Sequence, residues 1–439
     1  MNARTHPSGF PDADSFYTAT ARPWAGGEAL TRDTQCDVAV IGGGFAGLWA
    51  ARRLAAAGKA VVLLEGGEVG RAASGRNGGF VSTGFAQGLD ELERKLGREH
   101  GRELFAMSDK GRASVLDFCN AHPGAGIDPV MGRLKVLRYD DGGALEKRID
   151  FLNETLGQNM VFWPREKVRD QLRTQAYTCA MEDRNGFHVH TLNLARALAA
   201  DCSAKGVAVH ENTPAVSLVK AGAGWKVATP EASVTAEHVV LACNVAASGE
   251  GKSVLPALSR AIVPVATYVV TTEPMGEKLH EAIVWRGTVS DTRRAGDYYR
   301  IVDGDRLLWG GRITTRVSQP DDLAATMRAD IERIYPQLAP VKIDYVWTGL
   351  MGYCRHKMPI LGALRPGLWS CTAFGGHGLN TTAMGGEVVA DAITGADDRI
   401  RLFAPYRALW GGGYAGRIAT QLEYWRLQVL DWWEEKRGA

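Results

Sequence analysis

Apolar residues follow two patterns along the chain. Near the start they form short unbroken runs, Asp37-Val38-Ala39-Val40-Ile41 and Ala60-Val61-Val62-Leu63-Leu64, the signature of buried strands. Residues 48–57 between them are rich in helix formers and stop at Gly58, a residue suited to a helix C-terminus. The predicted unit is strand, helix, strand. Similar short runs recur at Gly206-Val207-Ala208-Val209-His210, at Val239-Val240-Leu241-Ala242-Cys243-Asn244 and at Leu368-Trp369-Ser370-Cys371-Thr372-Ala373-Phe374. Helices are expected after Asn193-Leu194 and over residues 381–393, the second stopping at Gly395.

The middle of the chain alternates instead. Leu134-Lys135-Val136-Leu137-Arg138-Tyr139 and Val263-Pro264-Val265-Ala266-Thr267-Tyr268-Val269-Val270 read as strands with two unlike faces. Tyr298-Tyr299-Arg300-Ile301-Val302 and Arg306-Leu307-Leu308-Trp309-Gly310-Gly311-Arg312 read as a hairpin turning at Asp303-Gly304-Asp305. At the far end Ile418, Leu422, Trp425, Val429 and Trp432 recur at intervals of three and four, one apolar helix stripe, expected to pack against the body.

Composition narrows the classes. A chain of 439 residues, 45% hydrophobic and 23% charged, can bury a sizeable core and should divide into two or three compact units. A net charge of +2 without a long Lys/Arg run sets nucleic acid aside as a partner. The seven cysteines, Cys36, Cys119, Cys179, Cys202, Cys243, Cys354 and Cys371, are scattered and contain no Cys-x-x-Cys pair for metal or redox chemistry. Reduced thiols and a cytoplasmic location are expected. Residues 1–32 are polar and carry Pro7, Pro11 and Pro23, unlike a secretory signal, and no run is long and apolar enough to span a bilayer.

Chemistry enters at Gly42-Gly43-Gly44-Phe45-Ala46-Gly47, a Gly-x-Gly-x-x-Gly placed directly after a predicted strand and opening a predicted helix. In that context Gly42 makes the tight turn, Gly44 lets backbone approach a pyrophosphate, and Gly47 lets the helix pack on the sheet. The helix N-terminus, with Phe45 and Ala46, then faces the phosphates. Glu65, followed by Gly66, ends the second strand about twenty residues on and would accept hydrogen bonds from an adenosine ribose while repelling a ribose phosphate. A glycine-rich turn without a ligand is the bland alternative; strand, helix, strand and terminal acid together disfavour it. The fingerprint alone does not separate FAD from NAD.

The segment Val69-Gly70-Arg71-Ala72-Ala73-Ser74-Gly75-Arg76-Asn77-Gly78-Gly79-Phe80 is dense in small residues, as backbone pressed against a flat or anionic group would be. Here the chain resembles the glycine oxidase/D-amino acid oxidase superfamily. The form Ser74-Gly75-Arg76-Asn77-Gly78-Gly79 is most similar to bacterial gamma-glutamylputrescine oxidases and their relatives, as is the leader Ser15-Phe16-Tyr17-Thr18-Ala19-Thr20. The resemblance implies FAD, with this loop along the flavin and its ribityl chain and Val216 against the adenine. It also implies that Gly375-Gly376-His377-Gly378-Leu379-Asn380 closes over the pyrimidine edge, where a helix N-terminus suits negative charge.

The implied fold is α/β and α+β: a discontinuous Rossmann-like FAD-binding domain (36–110, 184–250, 346–412) and a substrate domain (111–183, 251–345) with a mostly antiparallel sheet over the flavin. Residues 1–35 form an N-terminal arm and 413–439 a C-terminal helix. Residues 347–362 resemble the segment returning to the FAD domain, with His356-Lys357 where many relatives have an Asp before the Pro. The flavin-linking Cys of sarcosine oxidases falls nearer Gly349 than Cys354, so noncovalent FAD is expected. Leu308 stands near the place of their oxygen-activating lysine.

The catalytic candidates are His377, Arg312 and Tyr353. Arg312 is the preferred fork for a substrate carboxylate and Arg300 the reserve, against the competing reading that either arginine pairs within the protein. His377 is an acid, a base or a hydrogen-bond donor, or serves through its backbone. Hydride removal from a neutral amine requires little else, and a catalytic base is not demanded.

The resemblance implies an oxidase for gamma-glutamylated putrescine or a related amine, with imine formation, oxygen as acceptor and hydrogen peroxide release. The alternative is a dehydrogenase for a D- or cyclic secondary amino acid such as pipecolate or proline, passing electrons to a quinone or carrier. A third reading is a flavin-binding subunit without chemistry of its own. Trp432 and Trp433 beside Arg426, Lys436 and Arg437 leave a membrane-surface or partner contact open for the last helix.

Overall fold

The computed structural model describes residues 15–139, 143–245, 254–293 and 296–437. Among them two sheets form. The first runs in the order Ile360–Arg365, Leu368–Thr372, Ser233–Leu241, Thr34–Ile41, Val61–Leu64, Ala208–His210. From Leu368–Thr372 to Ala208–His210 every neighbouring pair is parallel. Parallel strands need crossovers, and the helices Phe45–Ala56 and Thr191–Ala204 supply two of them. The unbroken apolar runs follow from this, because Val38, Ala39, Val40 and Leu63 are completely covered. Helix Gly378–Thr394 crosses Phe45–Ala56 at Gly386, where a Cβ would lie 2.7 Å from the Ala50 amide nitrogen.

The second sheet runs Ile343–Tyr353, Val263–Thr272, Arg306–Thr314, Tyr298–Val302, Thr288–Asp291, Val130–Leu137, Cys179–His188, Phe80–Val81, with Met160–Trp163 also on Cys179–His188. It is antiparallel except between Thr288–Asp291 and Val130–Leu137. One face buries Leu134, Val136, Tyr299 and Trp309 with the helix Leu323–Ile334. Tyr299 and Trp309 stack at 4.5 Å, and the Tyr299 and Tyr335 hydroxyls lie 2.7 Å apart. The hairpin turns at 303–305 as the sequence predicts, with Asp303 and Gly304 at positive φ.

Two expected boundaries cut strands. The one after Tyr345 falls inside Ile343–Tyr353, which pairs along its length with Val263–Thr272, and the one after Asp183 falls inside Cys179–His188. The boundary at 250/251 lies outside the described residues, as do 1–14 of the N-terminal arm. The described part of the arm is anchored: Ser15 caps the short helix Phe16–Thr20, and Phe16 and Tyr17 pack with Leu308 and Trp347.

The apolar stripe of the last helix, Gly413–Arg437, corrects its expectation. It faces outward, with Trp425 56% and Val429 63% exposed. The side that meets the body makes polar contacts: Gln421 Oε1 accepts from the Thr315 amide at 2.9 Å, and Arg293 Nε donates to Glu435 Oε1 at 2.6 Å. No helix among the described residues is long and apolar enough to cross a membrane.

Candidate active site

A cavity of about 1290 Å³ is lined from both sheets. Its first wall is the predicted fingerprint. Gly42 sits at φ 116°, with Ala242 O only 2.7 Å from where a Cβ would be. Gly44 precedes helix Phe45–Ala56 without a side-chain cap, so Gly44, Phe45 and Ala46 present helix-terminal backbone to the cavity. The Phe45 amide donates to Ser74 Oγ at 2.9 Å. Gly47 lies behind the wall, its Cα pressed on the Gly42 carbonyl.

Glu65 reaches the same turn from the next strand. Its Oε2 accepts from the Gly43 amide at 2.6 Å and its Oε1 from the Gly67 amide at 2.9 Å. Burial pushes its carboxyl upward, against the two amides that hold it charged. Glu65 is the only carboxylate on the described wall, and Gly66 and Val216 line the cavity beside it.

The small-residue loop forms the next stretch. Ser74, Arg76, Asn77 and Gly78 line the cavity. Asn77 Nδ2 donates to the Ala73 and Ser74 carbonyls while its Oδ1 accepts from the Gly79 amide, locking the loop. Gly75 and Gly79 are not on the wall. Gly75 is pressed onto the Gly70 carbonyl, and a Cβ on Gly79 would lie 2.7 Å from Arg300 Nη2. These two expected cofactor contacts are packing positions.

The second glycine cluster closes the far side. Gly375, Gly376, His377, Gly378, Leu379 and Asn380 all line the cavity. Helix Gly378–Thr394 begins there without a side-chain cap. The ring of Tyr353 lies against the glycines, its hydroxyl 2.7 Å from a Cβ on Gly376, and burial pushes its phenol up to about 12. Burial, helped by Arg133 and Lys135, pulls His377 down to about 4, so it is neutral at pH 7. Gly349 is on the wall whereas Cys354 is behind it, donating to the Met358 carbonyl at 2.9 Å.

Both arginine forks are corrected. Arg312 turns away from the cavity and grips Asp330, Nε to Oδ2 at 2.6 Å and Nη2 to Oδ1 at 3.0 Å. The cause is a bulge: Ala266 faces Thr314 and Tyr268 faces Gly311, leaving Thr267 opposite two residues, with Arg312 at φ 55°. Simple alternation would put Arg312 on the Gly310 face; the bulge gives the cavity Ile313 instead. Arg300 is buried under the loop, donating to Gly78 O, Val189 O, Tyr17 Oη and His188 Nδ1. Leu308, fully buried among Tyr17, Val269 and Trp347, is off the wall too.

Pattern reading missed Arg133, Ser290 and Tyr298, which line the cavity opposite the glycines. The Tyr298 ring fits between Gly78 and Gly310, either of which would strike it if given a Cβ. The signal for Arg133 was its alternation with Leu134 and Val136, which marks a polar face without saying what that face meets.

Two helix N-termini whose cap residues supply no side-chain bond, a glycine-lined wall and a carboxylate held at the end of the second strand are the donor and acceptor set that a dinucleotide's pyrophosphate and ribose require. These residues fit FAD. The family model described as FAD dependent oxidoreductase matches residues 37–392. The chain belongs to that family. It is a FAD-dependent oxidoreductase, and its relatives span its length. It is 33% identical over 410 residues to "Probable oxidoreductase OrdL" of Haemophilus influenzae, covering 92% of this chain and 93% of that one. It is 31% identical over 408 residues to "Gamma-glutamylputrescine oxidoreductase" of Escherichia coli, with 91% and 93% covered. Among solved structures, glycine oxidase from Geobacillus kaustophilus superposes with a TM-score of 0.71 at 21% identity, covering 86% of this flavoenzyme and 99% of that chain.

Proposed function

We propose that this flavoenzyme oxidises a gamma-glutamylputrescine-like amine to the imine, which hydrolyses to the aldehyde, with oxygen as the final acceptor and hydrogen peroxide as product. The observation that carries this reading is the wall facing the second glycine cluster. Tyr298, Ile313 and Met351 make it suited to an aliphatic chain, and a cation, Arg133, stands on it. The likeness to the Escherichia coli enzyme supports the same substrate class.

Bound noncovalently, FAD supplies a two-electron acceptor for hydride. In this assignment Glu65 would hold the adenosine ribose, the N-terminus of Phe45–Ala56 the pyrophosphate, the loop from Ser74 to Gly78 the ribityl chain and ring, and the Gly375 to Asn380 backbone the pyrimidine edge. Tyr298 and Tyr353, both pushed up to about 12 by burial, keep their protons and act as hydrogen-bond donors. His377, pulled down to about 4, is too weakly basic to hold an amine's proton at pH 7. The substrate ammonium would therefore give its proton to solvent before it binds, and the lone pair on the neutral nitrogen would assist departure of hydride from the adjacent carbon to the bound flavin.

The test is anaerobic mixing of the holoenzyme with gamma-glutamylputrescine, putrescine, proline and pipecolate, followed by admission of air. Bleaching fastest with the first, then rapid return of colour, supports the proposal. A second reading, a dehydrogenase of a D- or cyclic secondary amino acid serving a quinone or carrier, draws on the outward apolar stripe of Gly413–Arg437 as a face for such a contact. It predicts bleaching by pipecolate or proline and slow recovery in air.

A further inference from the structure

Arg133 is the cation on the cavity wall that the protein leaves least satisfied. Its strand neighbours Leu134 and Val136 are fully buried in the core behind the sheet, so Arg133 and Lys135 project from the opposite face. Arg133 lines the cavity with Ser290 and Tyr298. Its Nε is buried and has no hydrogen-bond partner, and among the described residues its one hydrogen bond is long, Nη2 to Ser290 Oγ at 3.4 Å. The buried Asp183 acts on it only through space: Asp183 Oδ1 is engaged by the Asn185 and Gly186 amides, and no described acid forms an ion pair with Arg133. The position is nonetheless built. Gly186 on the adjoining strand leaves room for its stem, since a Cβ there would lie 2.9 Å from Arg133 Cβ.

Arg300 has four hydrogen-bond acceptors and Arg312 a bidentate acid, whereas Arg133 has only its long bond to Ser290 among the described residues. A guanidinium does not shed its proton, and burying one without a counter-ion is costly. That cost is offset when an anion arrives with two oxygens in the plane of the fork.

We propose that Arg133, assisted by the Ser290 hydroxyl, binds the carboxylate of the substrate and makes this enzyme selective for amines that carry one. The proposal rests on the amine-oxidising reading above and assigns to Arg133 the anchoring role that Arg312 and Arg300 do not fill. Lys135, on the same face two residues along, biases the approach of anions without being the anchor.

The experiment separates this proposal from that reading by using a probe that does not react. Glutarate and its neutral diamide are titrated into the FAD-loaded enzyme and followed by perturbation of the flavin spectrum. Glutarate should bind the parent enzyme at least tenfold more tightly than the diamide. Arg133→Met should weaken glutarate by about ten- to a hundredfold, leave the diamide unchanged and erase the preference, with Arg133→Lys in between. Both variants should keep full FAD content, because Arg133 is not among the residues assigned to the cofactor. Equal glutarate binding by parent and Arg133→Met, no preference in the parent, or loss of FAD from both variants would overturn the proposal. If glutarate binding depends on Arg133 while no amine bleaches the flavin, the anchor stands and the amine reading falls.

Discussion

Glu65 reaches back to the Gly43 amide, Oε2 to nitrogen at 2.6 Å, so the acid at the end of the second strand also clamps the glycine turn after the first. A Cβ on Gly43 would sit 2.9 Å from Glu65 Cβ, so the two residues share one packed position. Replacing Glu65 by Arg puts a bulky cation there and removes the proposed ribose acceptor. Glu65→Arg should purify without FAD. Glu65→Gln, which keeps the shape and one acceptor, should bind FAD about ten- to a hundredfold more weakly, a loss of about 1.5–3 kcal/mol. Flavin absorbance per polypeptide checks both.

Arg312→Ala tests the corrected arginine. Because Arg312 holds the buried Asp330 from half-exposed ground, its loss should lower stability by about 1–2 kcal/mol, read from the denaturant midpoint. The rate of anaerobic flavin reduction by gamma-glutamylputrescine should stay within about twofold of the parent. A large rate loss with unchanged stability would return Arg312 to the substrate.

How far the sequence could be read depends on whether a signal is local. The turn at Gly42 to Gly47, the helix behind it and Glu65 lie in one continuous stretch whose parts constrain each other, and the cavity wall shows them together. Arg312 was misplaced because alternation carries a side chain to a face only while the register holds, and the bulge opposite Thr267 breaks it. The last helix announced an apolar stripe, but periodicity says which residues share a face and not what covers it. Arg133 escaped for the same reason: a polar face on a strand reads alike whether it meets solvent or a closed cavity. The strand Ile343–Tyr353 pairs across the boundary that the family resemblance implied at Tyr345, since hydrogen bonding between distant strands leaves no mark on either.

Cys354 lies behind the wall, its thiol pushed up to about 11 by burial and donating to Met358 O. A buried, protonated thiol is a poor nucleophile. Acid precipitation should therefore release all the flavin into the supernatant, and Cys354→Ser should behave identically. Yellow colour retained in the washed pellet would show a covalent link.

Stability should fall as the solution is acidified. Burial, then Arg300, brings His190 from the usual 6.5 to about 4 and drives His188 well below 6.5. At these two histidines the unfolded chain binds more protons than the folded one between those values, while the buried Asp297, raised to about 6, works in the opposite direction. The stability these histidines contribute is thus fully present above pH 6.5 and is lost as pH drops through 4, with His190 contributing on the order of 3 kcal/mol. Melting temperature measured from pH 7.5 to 4.5 checks this, and His190→Gln should flatten the slope. A profile level across that range would contradict the assignment.

Whether this flavoenzyme takes hydride from a carboxylate-bearing amine is decided most directly by anaerobic stopped-flow reduction with gamma-glutamylputrescine and putrescine at equal concentration. Complete bleaching by the first is expected, at least tenfold faster at subsaturating concentration than by the second, with an aldehyde and one reduced flavin formed per substrate consumed. Flavin that stays oxidised with both amines, or bleaches equally fast with each, would contradict that expectation.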